Sequence, residues 1–257
     1  MRQALIRYVP RNYYLAFKHW KYKITNRTKF KEHQKRRVTV TSDGYSYRGF
    51  DEKKAIFIHI PKCAGVSVNR SIFGDLGGGH NTIEEYISIF EPKFLTRYFK
   101  FTIVRNPWDR VVSAYFFLKK GGFSAKDSEW FNEELKNYSS FEEFVINWVN
   151  EHNIWKWHHF RPQHHYLLDS GRKLNIDFIG YFENIDEDFK LITTELNLDL
   201  SLPSTNKSHH RCYMDYYNEE TKEIVRKAYA NDIKLLGYTF DNTSLHEQLS
   251  NRKLNDI

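Results

Sequence analysis

Residues 55–67 read AIFIHI, then PKCAGVS. The first six are a continuous run of apolar and β-branched side chains, broken once by His59, the pattern of a strand buried on both faces. Pro61 stops it, and residues 64–73 then favour a helix with Val66, Ile72 and Phe73 as apolar contacts. The order is strand, tight loop, helix, and it recurs. Residues 99–104 (FKFTIV) form a second strand ending at Arg105-Asn106-Pro107, followed by a helix from about Asp109 to Leu118. Between the two units lie the loop Gly77-Gly78-Gly79-His80 and a helix over 82–90. Two strands joined through a helix predict a right-handed crossover and a parallel sheet. Downstream, 176–181 (IDFIGY) reads as a third strand, and 141–149, 186–196 and 219–235 as helices. The expectation is an α/β fold, a central parallel sheet flanked by helices.

Composition agrees with a globular chain. The 257 residues suffice for one substantial core, and 20 Phe, 17 Tyr and 6 Trp exclude low-complexity disorder. No stretch approaches the roughly 20 apolar residues of a membrane-spanning helix. The longest apolar patch near the start, 13–17, is short and flanked by Arg11 and Lys18, unlike a secretory signal. Two cysteines, Cys63 and Cys212, are too few for a disulfide framework and fit a reducing compartment.

The formal charge of +7 is unevenly placed. Residues 1–37 hold 12 Lys or Arg and a single acid, Glu32, leaving 27 basic against 31 acidic residues beyond. Such a segment is attracted to phosphate, anionic lipid or an acidic polymer. Tyr13, Phe17, Trp20 and Ile24 recur at helical spacing with Arg11, Lys18, Lys21 and Lys23 around them. Two readings stand: docking on an anionic membrane surface or acidic polymer, or a helix packed on the domain with solvated lysines. Residues 38–50 alternate like a short strand and turn. The chain divides into a basic extension, 1–50, and a main domain, 51–257. Nothing resembles a nucleic-acid motif, and the main domain is net acidic, which argues against nucleic acid.

In open α/β sheets ligands bind beyond the carboxyl ends of strands, and here two strands end in a cation before a helix, Lys62 and Arg105. A helix N-terminus offers free N–H groups and a positive dipole end, so 62–67 can wrap an anion, Gly65 permitting close backbone approach and Ser67 adding a hydroxyl. This is not the triphosphate loop, in which Lys follows the glycines. Two such cations point to a ligand with two separate phosphate groups. Of the histidines, His158, His159, His164 and His165 read as surface or acceptor-lining residues; neighbours in sequence point apart, and no carboxylate falls at ligand spacing, so no metal is expected. Trp155, Trp157 and Phe160 read as packing residues, as does Cys63.

These motifs resemble those of PAPS-dependent carbohydrate sulfotransferases, which use 3′-phosphoadenosine 5′-phosphosulfate (PAPS) and include heparan sulfate 2-O- and chondroitin 4-O-sulfotransferases and bacterial relatives. Residues 58–67 (IHIPKCAGVS) are similar to the 5′-phosphosulfate loop and 104–115 (VRNPWDRVVSAY) to the 3′-phosphate motif. The likeness continues at 160–163 (FRPQ), 177–184 (DFIGYFEN) and 206–208 (NKS). The resemblance implies a P-loop-like sulfotransferase fold. It implies that Lys62, Cys63, Ala64, Gly65, Val66 and Ser67 cradle the 5′ end of the donor, that Arg105 and Ser113 hold the 3′-phosphate, and that Lys207 and Ser208 lie on a covering loop. His80 falls where related enzymes carry a catalytic His. Val66 stands where relatives usually have Thr, one hydroxyl fewer in the cradle. Secretory-pathway members carry a membrane anchor that residues 1–50 lack, so a bacterial-type cytoplasmic or membrane-peripheral enzyme is expected.

The expected chemistry is sulfuryl transfer to a carbohydrate hydroxyl, with His80 as base and Lys62 as the cation at the leaving phosphate. Arg161, Gln163 and His164 are candidates for the acceptor. A phosphotransferase with a similar cradle, or a non-catalytic binder of acidic polymers or membranes through residues 1–37, are the alternatives.

Overall fold

A computed structural model describes residues 9–203 and 211–251. Two basic helices, α1 (Arg11–Thr25) and α2 (Arg27–Arg36), and a short α3 (Arg48–Lys53) precede β1 (Ala55–Ile58). Then follow α4 (Gly65–Phe73), α5 (Ile83–Ile89), the single turn α6 (Pro92–Leu95), β2 (Phe99–Val104) and α7 (Pro107–Lys119). The second half adds α8 (Ala125–Glu134), α9 (Phe141–Trp148), the single turn α10 (His164–Leu167), β3 (Phe178–Tyr181), α11 (Ile185–Glu195), α12 (Glu219–Ala228), α13 (Ala230–Leu236) and α14 (Leu245–Asn251). Among the described residues the sheet has three strands in the order β1-β2-β3, every pairing parallel, with Ala55 opposite Phe99 and Phe101 opposite Phe178. The expected α/β arrangement is therefore present. No described helix is long and apolar enough to cross a membrane.

Local signals explain the helix starts that matter for the site. At α5, Thr82 Oγ1 accepts from Glu85 N at 3.2 Å, while Glu85 Oε2 accepts from Thr82 N at 2.7 Å, so two N–H groups that the helix leaves unpaired are satisfied reciprocally. At α7, Asn106 Oδ1 accepts from Trp108 N at 3.0 Å, and Pro107 opens the helix where no N–H is needed. One apolar cluster surrounds the sheet, and a second, aromatic one lies among α7, α9 and α12.

Two expectations are corrected. Residues 38–50 form no strand: Gly44 turns the chain at φ +82°, Val38 and Val40 are exposed, and no neighbouring strand takes up the alternation. Tyr47 and Phe50 instead reach the sheet cluster, as do Tyr14 and Leu15 of α1, so packing does not stop at residue 50. The helix expected over 219–235 breaks at Tyr229, whose hydroxyl donates to the Phe160 carbonyl at 2.7 Å.

Candidate active site

The loop after β1 carries Lys62 and Ala64 in the left-handed region, at φ 70° and 58°, conformations that cost a non-glycine residue roughly 1 kcal/mol each. This turn delivers Lys62 to a cavity of about 280 Å³ lined also by His59, Val66, His80, Asp127, His158 and His159. The Lys62 ammonium stands 3.5 Å from the Phe117 ring centroid and has no carboxylate within ion-pair distance among the described residues. Burial and the neighbouring Arg105 charge bring it down to about 7. Gly65 is needed for a different reason than expected: a Cβ there would lie 1.8 Å from His59 Cδ2, so the His59 ring, not a ligand, occupies the space. Cys63 turns inward, 3.6 Å from Gln163 Oε1, and burial pushes its thiol up to about 12, leaving only its backbone for the cradle. Ser67 is buried in the first turn of α4.

Arg105, at the end of β2, is gripped on three sides. Its Nε and Nη2 donate to Asp109 at 2.7 and 2.9 Å, its Nη1 donates to the Lys62 carbonyl at 3.1 Å, and its guanidinium covers the Phe182 ring at 4.0 Å. The two loops are thereby joined. Ser113 falls one turn beyond Asp109 on the same side of α7 and is buried.

Arg161, Gln163 and His164 do not line the cavity. Gln163 is fully buried and clamps the Arg105 peptide from both ends: its Oε1 accepts from Arg105 N at 3.0 Å and its Nε2 donates to Arg105 O at 2.7 Å. Gln163 N and His164 N donate to Asp232 at 2.6 and 2.9 Å, and His164 Nδ1 lies 2.6 Å from the same carboxylate. Arg161 donates from Nε to the Trp155 carbonyl at 3.3 Å. Gln163 positions Arg105, while Arg161 and His164 bond to Trp155 and Asp232, so none of the three faces the His80 and Lys62 cavity. The 177–184 segment braces the same loop, since Glu183 Oε1 accepts from Asn106 N at 2.6 Å; burial raises Glu183 to about 7.

His80 lies beside the loop after β1. Its Nδ1 is 3.1 Å from the His59 carbonyl, and because a carbonyl only accepts, Nδ1 carries the hydrogen and Nε2 keeps its lone pair. Burial, with His158 nearby, lowers His80 to about 4, so the ring is neutral at physiological pH. Opposite it, the buried Arg110 guanidinium donates to the carbonyls of His159 at 3.1 Å and Arg161 at 2.6 Å, drawing this segment inward. The ring centroids of His158 and His159 are 4.1 Å apart, and His158 stands 5.2 Å from His80. Adjacent histidines do not point apart here. Asp127 Oδ1 approaches His159 Nε2 at 3.3 Å, while Oδ2 accepts from the Phe123 and Ser124 N–H groups. Burial alone would raise Asp127, but the nearby His159 ring and the Phe123 N–H outweigh it and hold the carboxyl below its ordinary range. Asp127, His158 and His159 bring ligand atoms within 4.8 Å of one another, and among the described residues they are the set able to hold a metal ion.

Asp127 and His59 were not singled out from the sequence. Ser124-x-x-Asp127 was visible as a helix-start signal, but its approach to His159 spans 32 residues and follows no periodicity. Lys207 and Ser208 lie outside the described residues. Two larger hollows, about 410 and 630 Å³, lie by Leu174 and by Trp108, and hold neither a histidine nor a loop cation.

The profile of the sulfotransferase family matches residues 45–239, which take in both loops, His80 and the Gln163 clamp. The chain belongs to the sulfotransferase family. A stretch of 108 residues is 32% identical to a protein of Archaeoglobus fulgidus described as uncharacterized, and covers 41% of this chain and 73% of that one. No solved structure matched. A neutral imidazole whose Nε2 keeps its lone pair and a buried ammonium face one cavity, so a proton can be accepted and an anion held within the same space.

Proposed function

We propose that this sulfotransferase moves the sulfuryl group of PAPS to a hydroxyl of a carbohydrate, releasing adenosine 3′,5′-bisphosphate. The observation that carries the reading is the shared cavity of His80 and Lys62, with Arg105 tied to the Lys62 carbonyl. The acceptor oxygen gains the bond to sulfur and gives its proton to His80 Nε2. The bond from sulfur to the bridging oxygen breaks, and that oxygen leaves with the electron pair beside the Lys62 ammonium. A buried ammonium without a carboxylate partner suits a donor anion, which supplies the missing opposite charge.

Arg105 fits the 3′-phosphate by the same test. Of the five N–H groups of a guanidinium, three are committed to Asp109 and the Lys62 carbonyl. One N–H on each terminal nitrogen remains for a phosphate oxygen, with the Ser113 hydroxyl two turns along. Lys207 and Ser208 would cover the donor, as the motif resemblance implies. The carbohydrate acceptor is inferred from that resemblance and from a cavity wall of His158, His159 and Tyr45, which offers ring nitrogens and an aromatic face.

The test is transfer of labelled sulfate from PAPS to a panel of oligosaccharides, with and without a chelator, beside calorimetry with adenosine 3′,5′-bisphosphate and ATP. His80→Asn is expected to lose transfer by about 10²–10⁴-fold, the usual share of a general base, while binding the bisphosphate as the parent does. Full transfer by that variant, or ATP binding as tightly as the bisphosphate, overturns the reading.

A further inference from the structure

α1 has two apolar faces, and the fold uses one of them. At 3.6 residues per turn, Tyr13, Phe17, Trp20 and Ile24 fall within an arc of about 60°, with Leu15 and Lys18 on the opposite side and Tyr14 about 90° round from the stripe. The inner side is fixed to the body: Tyr14 and Leu15 are buried, Tyr14 Oη donates to Glu84 at 2.8 Å, and Arg11 and Lys18 pair with Asp169 and Glu84. The outer four side chains are 73, 55, 58 and 47% exposed, and the Phe17 and Trp20 rings stand 6.3 Å apart. Helical spacing was legible in the sequence; the direction of this stripe was not.

Charge surrounds the stripe. Lys21 and Lys23 fall roughly 80° to either side of it, both exposed, and α2 continues with exposed Arg27, Lys29, Lys31 and Lys35. Glu32 is the sole acid between residues 9 and 37. We infer that this face docks on an anionic lipid bilayer, α1 lying in the interface with its aromatic stripe at the acyl boundary and its lysines among the headgroups. A polyanionic polymer would use the lysines and leave the aromatic stripe in water. A second copy would bring the same cations against these, and like charges across an interface oppose association. The inference does not depend on the transfer reaction. It does bear on it, because α1 packs on α5, whose cap Thr82 is two residues from His80.

The experiment is co-sedimentation of the full chain with phosphatidylcholine vesicles, with and without about 30% phosphatidylglycerol, at low and high salt. Binding is expected to require the anionic lipid, to weaken with salt, and to fall at least about tenfold in Phe17→Ser/Trp20→Ser. That variant should melt as the parent does, since both side chains face water. Equal binding to neutral vesicles, no binding at all, or unchanged binding by the double variant would each overturn the inference. So would a dimer of the parent chain that the double variant abolishes.

Discussion

Arg105 Nη1 donates to the backbone carbonyl of Lys62 at 3.1 Å. The bond joins the loops after β1 and β2, so the two cations are set at a fixed separation by the protein rather than by a ligand. Lysine at 105 would keep one charge but lose the fork that reaches Asp109 and the Lys62 carbonyl together. Arg105→Lys should therefore weaken adenosine 3′,5′-bisphosphate by about 10–100-fold, the loss of one or two charged hydrogen bonds. Calorimetry reads this directly, and parental affinity would remove Arg105 from the phosphate site.

Gln163 makes a second prediction, because its position separates a brace from a substrate contact. Gln163→Leu keeps the volume but leaves the buried Arg105 N–H and C=O without their partners, at a cost of about 1–3 kcal/mol for each group. The expected outcome is a lower melting temperature and weaker bisphosphate binding, with the acceptor KM unchanged once donor saturates. A rise in acceptor KM alone would restore Gln163 to the acceptor site.

The contact between Gly65 and His59 predicts a compensating pair. Gly65→Ala places a methyl group inside the van der Waals radius of the His59 ring, so ring or loop must move and both folding and activity should suffer. His59→Ala removes the obstacle. The double variant should melt higher than Gly65→Ala alone, a positive coupling in a double-mutant cycle; simple additivity would show that the ring is not what excludes a side chain at 65.

Catalysis should depend on pH through two groups. His80 must be neutral, and with its value near 4 the acid limb of kcat/KM should lie well below that of an ordinary histidine. Lys62 must be charged, and with its value near 7 in the free enzyme kcat/KM should fall as pH rises above neutrality. A bound donor anion favours the ammonium, so the alkaline limb of kcat should lie higher than that of kcat/KM. Coincident alkaline limbs would mean that Lys62 does not meet the donor.

The elements around the site were legible because their signals are local. Apolar runs marked β1 and β2, and the helices expected from about Asp109 and over 82–90 begin within two residues of those positions, α7 at Pro107 and α5 at Ile83. Lys62 and Arg105 could be placed since each closes such a strand, whereas His80, in the loop between α4 and α5, was singled out by the motif resemblance alone. What escaped depends on contacts between segments far apart in sequence. Gln163 looks like a polar candidate until its amide is seen closed on the Arg105 peptide. The segment that carries His158 and His159 is held by partners outside it, Tyr166 at the His158 carbonyl and the distant Arg110 at the His159 and Arg161 carbonyls. Asp127 reaches His159 from α8. Periodicity also leaves open which face of a helix is covered, as α1 shows with its aromatic side outward and Tyr14 and Leu15 inward.

The histidine cluster predicts how stability responds to acid. Burial lowers His80 and His159 to about 4 and His158 to about 3, with His59 also well below its ordinary value. A histidine lowered in the fold contributes its full stability above the unfolded value of about 6.5 and loses it as pH falls, because the unfolded chain then binds protons that the folded chain refuses. Glu183 acts in the opposite sense: held near 7 by burial, it favours the folded state as pH falls toward its ordinary carboxyl range. Burial lowers His19, His33 and His165 as well, and the lowered histidines outnumber the two carboxyls that burial raises, Glu183 and Asp75, so the urea midpoint should decline steadily from pH 7 to pH 5. His158→Gln removes one of the refused protons and should flatten that decline, whereas Glu183→Gln removes an opposing group and should steepen it. A decline that both variants leave unchanged would show that these groups are not what couples folding to pH.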